Sequence, residues 1–331
     1  MTHSSLSERL VLWGTLAVVL MLVSQPLLEA EAAKRVDGGT GVSAETKPGR
    51  RPESDVLRFA TVELGTGVRV HYAETGSPDG LPVVMLHGYT DSWRSFRPVL
   101  PHLPKEYRVV MPDQRGHGSS AVVDCCYGIR DLEADVIALL DALGMESVVL
   151  VGHSSGSIVA QRVAADHPAR VHAVVLIGSG VNGAIPPLIE LQAAVNELSD
   201  PVDIAFAREF QRSTVHTTPG DDLVETMSQG TARVPAHVWR AYLDGLVSED
   251  MTGVQARIRA PTLLVAGELD GMWPPAEQRR LAAAIAGSEL KLYAGTAHAL
   301  HWEQPAAFAA DLHRFLTAAG SVAPPSRAAR R

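Results

Sequence analysis

Hydrophobic positions along the middle of the chain fall into two alternating rhythms. Residues 82–86, 107–111, 148–151, 171–177, 261–267 and 290–294 are short, mostly apolar runs, the pattern of strands buried on both faces of a parallel sheet. Between them, apolar residues recur at helical spacing. In residues 128–143, Ile129, Leu132, Val136, Leu139, Leu140 and Leu143 share one face, which leaves Arg130, Asp131, Glu133 and Asp135 outside. Residues 91–103, 276–286 and 304–318 read as further helices, and Pro168 ends the helix that follows the 148–151 run. Ahead of all these, residues 56–63 and 67–74 alternate in a strand-like way around Gly65-Thr66-Gly67 and predict an antiparallel hairpin at a sheet edge. The expected fold is α/β, a mostly parallel central sheet flanked by helices.

Residues 182–257 break this rhythm. Helix follows helix, with Pro186, Pro201, Pro219 and Pro235 near their starts, so the segment is expected to be an inserted helical cap that divides the core into residues 56–181 and 258–318. Before the core, residues 10–23 form an uncharged apolar run, preceded by Arg9 and followed by Ala30-Glu31-Ala32. This is the layout of an export signal over residues 1–32, with cleavage near Ala32 and a periplasmic or secreted product. The run is shorter than the roughly 20 residues that span a bilayer, and extension through Leu28 makes an uncleaved anchor the alternative. Residues 33–55 are polar and rich in Gly, Lys, Arg and Pro and are expected to form a flexible linker, and residues 319–331 are expected to be a disordered tail.

Composition changes this picture little. A length of 331 residues suits one large α/β domain with an insertion, and a formal charge of −8 without long runs of one sign excludes a phosphate-tracking basic surface. No nucleic-acid partner is expected. The only cysteines, Cys125 and Cys126, are adjacent, so they can form neither a disulfide framework nor a zinc site. Two free thiols are expected, with a vicinal bridge as the alternative.

The candidate chemistry sits where strands end. The 148–151 run stops at Gly152-His153-Ser154-Ser155-Gly156, and Ile158, Val159, Ala160, Val163 and Ala164 then trace the inner stripe of a helix. Strand, Gly-x-Ser-x-Gly and helix in that order are the setting of a nucleophile elbow, in which the glycines let backbone pass close to a serine held in a sharp turn. Ser154 is its central residue. Asp270 follows the strand at 262–266 within GELDGMWPP, and His298 follows the strand at 290–294 within AGTAHALHWEQP. Functional loops of parallel sheets lie at the carboxyl ends of strands, and the chain order Ser154, Asp270, His298 is that of a nucleophile, acid and base after such an elbow. Glu268 is the rival acid and His301 the rival base.

Taken together, HGYT at His87, DQRGHG at Asp113, GHSSG at Gly152, PTLLVAGELD at Pro261 and GTAHALHWEQP at Gly295 make residues 56–318 resemble the α/β-hydrolase superfamily, in its capped branch of esterases, lactonases, perhydrolases and carbon–carbon hydrolases. The resemblance implies an oxyanion hole built from the backbone amides of Tyr89 and Ser155, no metal or organic cofactor, and structural roles for His87, His117 and His153. The superfamily's dehalogenases and epoxide hydrolases carry aspartate at the elbow, so Ser154 argues against them. Many perhydrolase-like members have glycine where Ser157 stands. Trp93, Trp273 and Trp302, with Tyr89, are candidates to line an apolar pocket. The expected activity is hydrolysis of a carboxylic ester or lactone of a small, largely apolar molecule through an acyl-enzyme. The alternatives are perhydrolase or haloperoxidase-like chemistry, carbon–carbon bond hydrolysis, and, from a different class, a non-catalytic ligand-binding module. The expected partner is a small-molecule substrate, and membrane contact is expected only through an uncleaved leader. The sequence leaves the oligomeric state open.

Overall fold

The structure, a computed structural model, describes residues 56–217 and 219–320. The leader, the linker and all but the first two residues of the tail lie outside the described residues, so the expectations of export, anchoring and disorder fall there. No helix among the described residues is long and apolar enough to cross a membrane.

Eight strands form one sheet in the order β1-β2-β4-β3-β5-β6-β7-β8. They are β1 (Arg58–Glu63), β2 (Arg69–Gly76), β3 (Leu81–Leu86), β4 (Tyr107–Pro112), β5 (Val148–His153), β6 (Val171–Ile177), β7 (Thr262–Gly267) and β8 (Glu289–Tyr293). The expected edge hairpin is β1 and β2, paired antiparallel, and β2 also runs antiparallel to β4. All remaining pairings are parallel. The apolar runs are continuous because both faces are covered. Val83, Met85, Val149, Val151, Val175, Leu263 and Val265 pack with Phe308, Leu312, Phe315 and Leu316 of the last helix, α9 (Pro305–Ala318). Val84, Leu86, Leu150, Val174, Leu176 and Leu264 alternate with them, point to the opposite face and are equally buried. Helix α2 (Ser155–Asp166) packs on β5 and β6, and α1 (Ile129–Ala142) packs on α2.

Four helices, α3 (Pro186–Asn196), α4 (Ile204–Ser213), α5 (Asp221–Ala232) and α6 (Ala236–Ser248), lie between β6 and β7. The core resumes with β7, α7 (Pro275–Ala284), β8 and a short turn, α8 (Leu300–Glu303), before α9.

Three expectations are corrected. Residues 91–103 are not one helix but two 3-10 turns, Trp93–Phe96 and Leu100–His102. Pro98, Pro101 and Pro104 remove donors and disfavour the α conformation in the residues before them. Glu133 and Asp135 are not outside α1 but buried, at 5% and 7% exposure. Arg115 holds Asp135 through two 2.6 Å hydrogen bonds, and Glu133 faces Arg130 and His167, each at 3.2 Å. Apolar periodicity cannot register such pairs, because Arg115 and His167 come from outside the helix and a polar side chain adds nothing to the apolar pattern. Cys125 and Cys126 are bonded to each other as a vicinal disulfide, and no free cysteine remains.

The strand order positions the site. The chain leaves β3 toward β4 on one side and returns to β5 on the other, so the loops after β3 and β5 diverge above a topological switch point, where open α/β sheets bind ligands.

Candidate active site

Ser154 occupies the turn between β5 and α2 with φ 53° and ψ −124°. A non-glycine residue at positive φ is uncommon and persists only where its surroundings hold it. Here the Ser154 amide donates to the Ile177 carbonyl at the end of β6 (2.9 Å), and the Ser157 amide donates back to the Ser154 carbonyl (2.8 Å). The elbow glycines are required by close backbone contact. A Cβ on Gly152 would lie 2.4 Å from the Gly156 carbonyl oxygen, and one on Gly156 would lie 2.4 Å from that of His87. Ser154 is half-buried, whereas Ser155 has no exposure.

The loop after β3 crosses directly over the serine. A Cβ on Gly88 would come within 3.1 Å of the Ser154 Cβ. His87 fixes this loop: its Nε2 accepts from the Gln114 amide (2.9 Å), so its Nδ1 carries the proton and donates to the Gly88 carbonyl (2.8 Å). Burial drives the His87 pKa down, outweighing the charge of Asp113. Asp113 supports the same region, accepting from the Trp93 amide and from His71 Nδ1, both at 2.8 Å. Burial pushes its carboxyl up, but the hydrogen bond from His71 and those from the Trp93 and Ser119 amides prevail and hold it below the ordinary value.

His298 lies in the loop after β8, and its Nδ1 is 3.0 Å from Asp270 Oδ2. Facing a carboxylate, Nδ1 carries the proton, which leaves Nε2 as the basic nitrogen. The other oxygen of Asp270 accepts from the amides of Met272 (2.8 Å) and Trp273 (3.0 Å), so the carboxylate is oriented by its own loop. Gly178, immediately past β6, is packed so closely on His298 that a Cβ there would meet its Nδ1 at 3.0 Å. Ser154 and His298 therefore flank the same strand end. The rivals are elsewhere: Glu268 is exposed, and His301 is buried with its Nε2 3.2 Å from Ser95 Oγ.

Of the three tryptophans, only Trp273 touches this group, its ring centroid 5.7 Å from that of His298 and its Nε1 donating to the Asn182 carbonyl. Trp93 belongs to the core beneath the sheet and packs on Phe59. Trp302 packs on Met227 and donates to the Ser95 carbonyl.

An aromatic wall beside the elbow instead joins Tyr89 to the insertion. Tyr89 meets Phe210, Trp239 and Tyr242 at centroid distances of 5.2 to 5.9 Å, and the Tyr242 hydroxyl donates to Ser155 Oγ (3.1 Å). Asp91, readable in the sequence only as the start of an apparent helix, is also buried here, 3.9 Å from His153 Nδ1. Burial raises its carboxyl to about 6, against hydrogen bonds from Gln211 and Ser95 and the charge of His298. Its position directly after HGYT was the one available sign, since buried polar groups leave no periodic trace.

The family model for the alpha/beta hydrolase fold matches residues 82–214. A 2-hydroxymuconate semialdehyde hydrolase of Pseudomonas sp. (strain CF600) is 33% identical over 282 residues, covering 78% of this chain and 94% of the relative. The chain is an α/β hydrolase. A non-heme chloroperoxidase of Streptomyces lividans is also similar to this α/β hydrolase, 30% identical over 285 residues, 78% of this chain and 99% of that one. Among solved structures, a hydrolase from Pseudomonas aeruginosa superimposes with a TM-score of 0.71 at 26% identity, covering 78% of this chain and 98% of its own.

Proposed function

We propose that this α/β hydrolase cleaves carboxylic esters or lactones of small, largely apolar molecules through a Ser154 acyl-enzyme. The observation that carries the reading is the His298 Nδ1 hydrogen bond to a buried Asp270 whose other oxygen is held by two backbone amides, beside a serine in a strained elbow. His298 Nε2 takes the Ser154 proton as the hydroxyl oxygen attacks the acyl carbon, and Asp270 stabilises the resulting imidazolium. The Tyr89 and Ser155 amides bind the oxyanion. Ser155 opens α2, where first-turn amides lack intrahelical partners. The imidazolium then protonates the leaving alkoxide, and a water activated by His298 releases the acid. None of these steps needs a metal or organic cofactor.

The insertion serves as the cap over this site. Its buried aromatic residues Phe206, Trp239 and Tyr242, with the half-buried Phe210 packed against them, favour an apolar acyl or aryl group. The leader reading adds that the enzyme acts outside the cytoplasm. The 33% identical relative named for a semialdehyde hydrolase supports carbon–carbon hydrolysis as a second reading of the same triad.

The test is a panel of p-nitrophenyl esters of graded acyl length, with lactones and a vinylogous 1,5-diketone alongside, combined with a fluorophosphonate probe. The expected result is ester turnover, and labelling of Ser154 that Ser154→Ala abolishes while cutting kcat about a millionfold. Turnover of the diketone alone would favour the second reading, and labelling that persists on Ser155 would overturn the assignment of the nucleophile.

A further inference from the structure

Three consecutive residues of the loop after β3 are each gripped by a different helix of the insertion. The Tyr89 hydroxyl donates to the Trp239 carbonyl on α6 (2.6 Å). Thr231 Oγ1 on α5 donates to the Thr90 carbonyl (3.2 Å). Gln211 Nε2 on α4 donates one hydrogen to Asp91 Oδ1 (2.9 Å) and the other to Thr231 Oγ1 (2.6 Å). The donors and acceptors are mutually consistent: the amide of Gln211 uses both hydrogens, and Thr231 accepts one bond and passes its own hydrogen on.

Every member is sequestered, with Thr90 and Thr231 at 0% exposure, Gln211 at 1% and Asp91 at 5%. An apolar contact would have sufficed to seat the insertion, and buried polar groups cost stability unless all are satisfied. The grip also falls on a strained position. Thr90 is β-branched and has φ 63°, a conformation that is strained and needs its surroundings to hold it. It directly follows the residue whose amide is the first oxyanion donor of the proposed mechanism.

We propose that Gln211 and Thr231 are positioning residues that hold the Tyr89 amide in its oxyanion-binding geometry, so that the oxyanion hole is complete only while the cap is seated on the core. This rests on the serine-hydrolase reading above. The cap then does more than select substrate, because cap closure and completion of the catalytic site are one event. Asp91 is the anchor on the core side. It faces His153, Ser95 and, through charge, His298, so loss of the Gln211 bond leaves a buried carboxyl with Ser95 as its remaining side-chain hydrogen-bond donor.

The experiment compares Thr231→Val, which keeps shape and removes the donor, with Thr231→Ser and Gln211→Met. Each is assayed with p-nitrophenyl butyrate and with an alkyl trifluoromethyl ketone, whose serine adduct carries an oxyanion. A displaced oxyanion donor costs less than the hundredfold or more of a deleted one. Thr231→Val and Gln211→Met are therefore expected to lower kcat about 10- to 100-fold with KM within about threefold, and to weaken the ketone by the same factor as kcat/KM. Thr231→Ser should restore most of the loss. Unchanged kcat in folded Thr231→Val, or a change in KM with ketone affinity untouched, would overturn the proposal. If Gln211→Met does not fold, the Thr231 pair decides alone. A wild-type enzyme that neither turns over the ester nor is labelled at Ser154 would sink the serine-hydrolase reading itself, whereas an active, labelled enzyme indifferent to Thr231→Val sinks only the clamp.

Discussion

At the level of single residues, Asp270 and Glu268 follow the same strand but differ in what surrounds them. Asp270 is enclosed, with one oxygen on two amides and the other on His298. Glu268 is exposed, and its amide simply continues the sheet edge by donating to the Tyr293 carbonyl. Asp270→Asn keeps the shape and removes the charge, while its amide nitrogen can favour the wrong imidazole tautomer. It is expected to lower kcat about ten-thousandfold, whereas Glu268→Gln should stay within about threefold of wild type, being an exposed change away from packed features. Measuring kcat for both on one ester, with thermal melts to verify folding, tests the pair. A severe loss in Glu268→Gln with Asp270→Asn nearly normal would reverse the roles. In the sequence the two differ in that Asp270 lies one step further into the loop. The aromatic wall was not legible there: of Trp93, Trp273 and Trp302, one reaches His298 and the other two pack elsewhere, because a position in a loop does not specify the direction in which a side chain points.

At the level of elements, the elbow depends on backbone passing where side chains cannot. Gly156→Ala would drive a methyl to 2.4 Å from the His87 carbonyl and 2.5 Å from that of Leu86, both backbone atoms that cannot swing away. Overpacking of this kind costs about 1–3 kcal/mol. A drop of several degrees in Tm is expected, together with a fall in kcat, because the displaced strand end carries the Gly88 loop. Gly230→Ala is the control, as nothing lies within 4 Å of its Cβ and it sits inside a helix. There alanine should be neutral or stabilising, and equal losses in both variants would refute the packing argument. Elements with one dominant period match the structure in type and extent, as β5 and α1 illustrate, although Glu133 and Asp135 of α1 are buried. The 91–103 segment does not match, since its apolar spacing suggests a helix while its prolines forbid one.

At the level of the whole molecule, the buried histidines make stability dependent on pH. Burial lowers the pKa of His87, His117, His153 and His301, to about 3 for His117 and His301. A folded-state pKa below the ordinary 6.5 means that the unfolded chain binds protons the folded one refuses, so the stability these groups contribute is present above pH 6.5 and is lost as pH falls. Asp91 acts in the opposite sense. Its pKa, raised from 3.8 to about 6, adds stability as pH falls through 6 and offsets one of the four. Between pH 6 and 4, stability is therefore expected to fall: His117 and His301, less the opposing proton of Asp91, give a net uptake of at least about one proton on unfolding, on the order of 1.4 kcal/mol per pH unit at full titration, and His87 and His153 act in the same direction. Urea unfolding at pH 7, 6 and 5 measures the slope. A Tm and midpoint that hold constant or rise toward pH 5 would show that the histidines are not held neutral. His153→Phe, which removes one such group, should flatten the slope.

The sequence by itself determined the order of the strands and of the helices outside residues 91–103, the elbow, the edge hairpin and the placement of Asp270 and His298 after successive strand ends. Those features are local: each depends on side-chain spacing within a dozen residues, or on a turn that only certain residue types can make. Tertiary structure alone decided which buried groups meet. The two-pronged Arg115 pair with Asp135, the Cys125–Cys126 bond, the enclosure of Asp91 and the grip of Gln211, Thr231 and Trp239 on residues 89–91 join polar atoms that are mostly far apart in the chain. Burial is a property of position in the packed molecule, and a polar side chain carries the same letter whether it faces water or a partner.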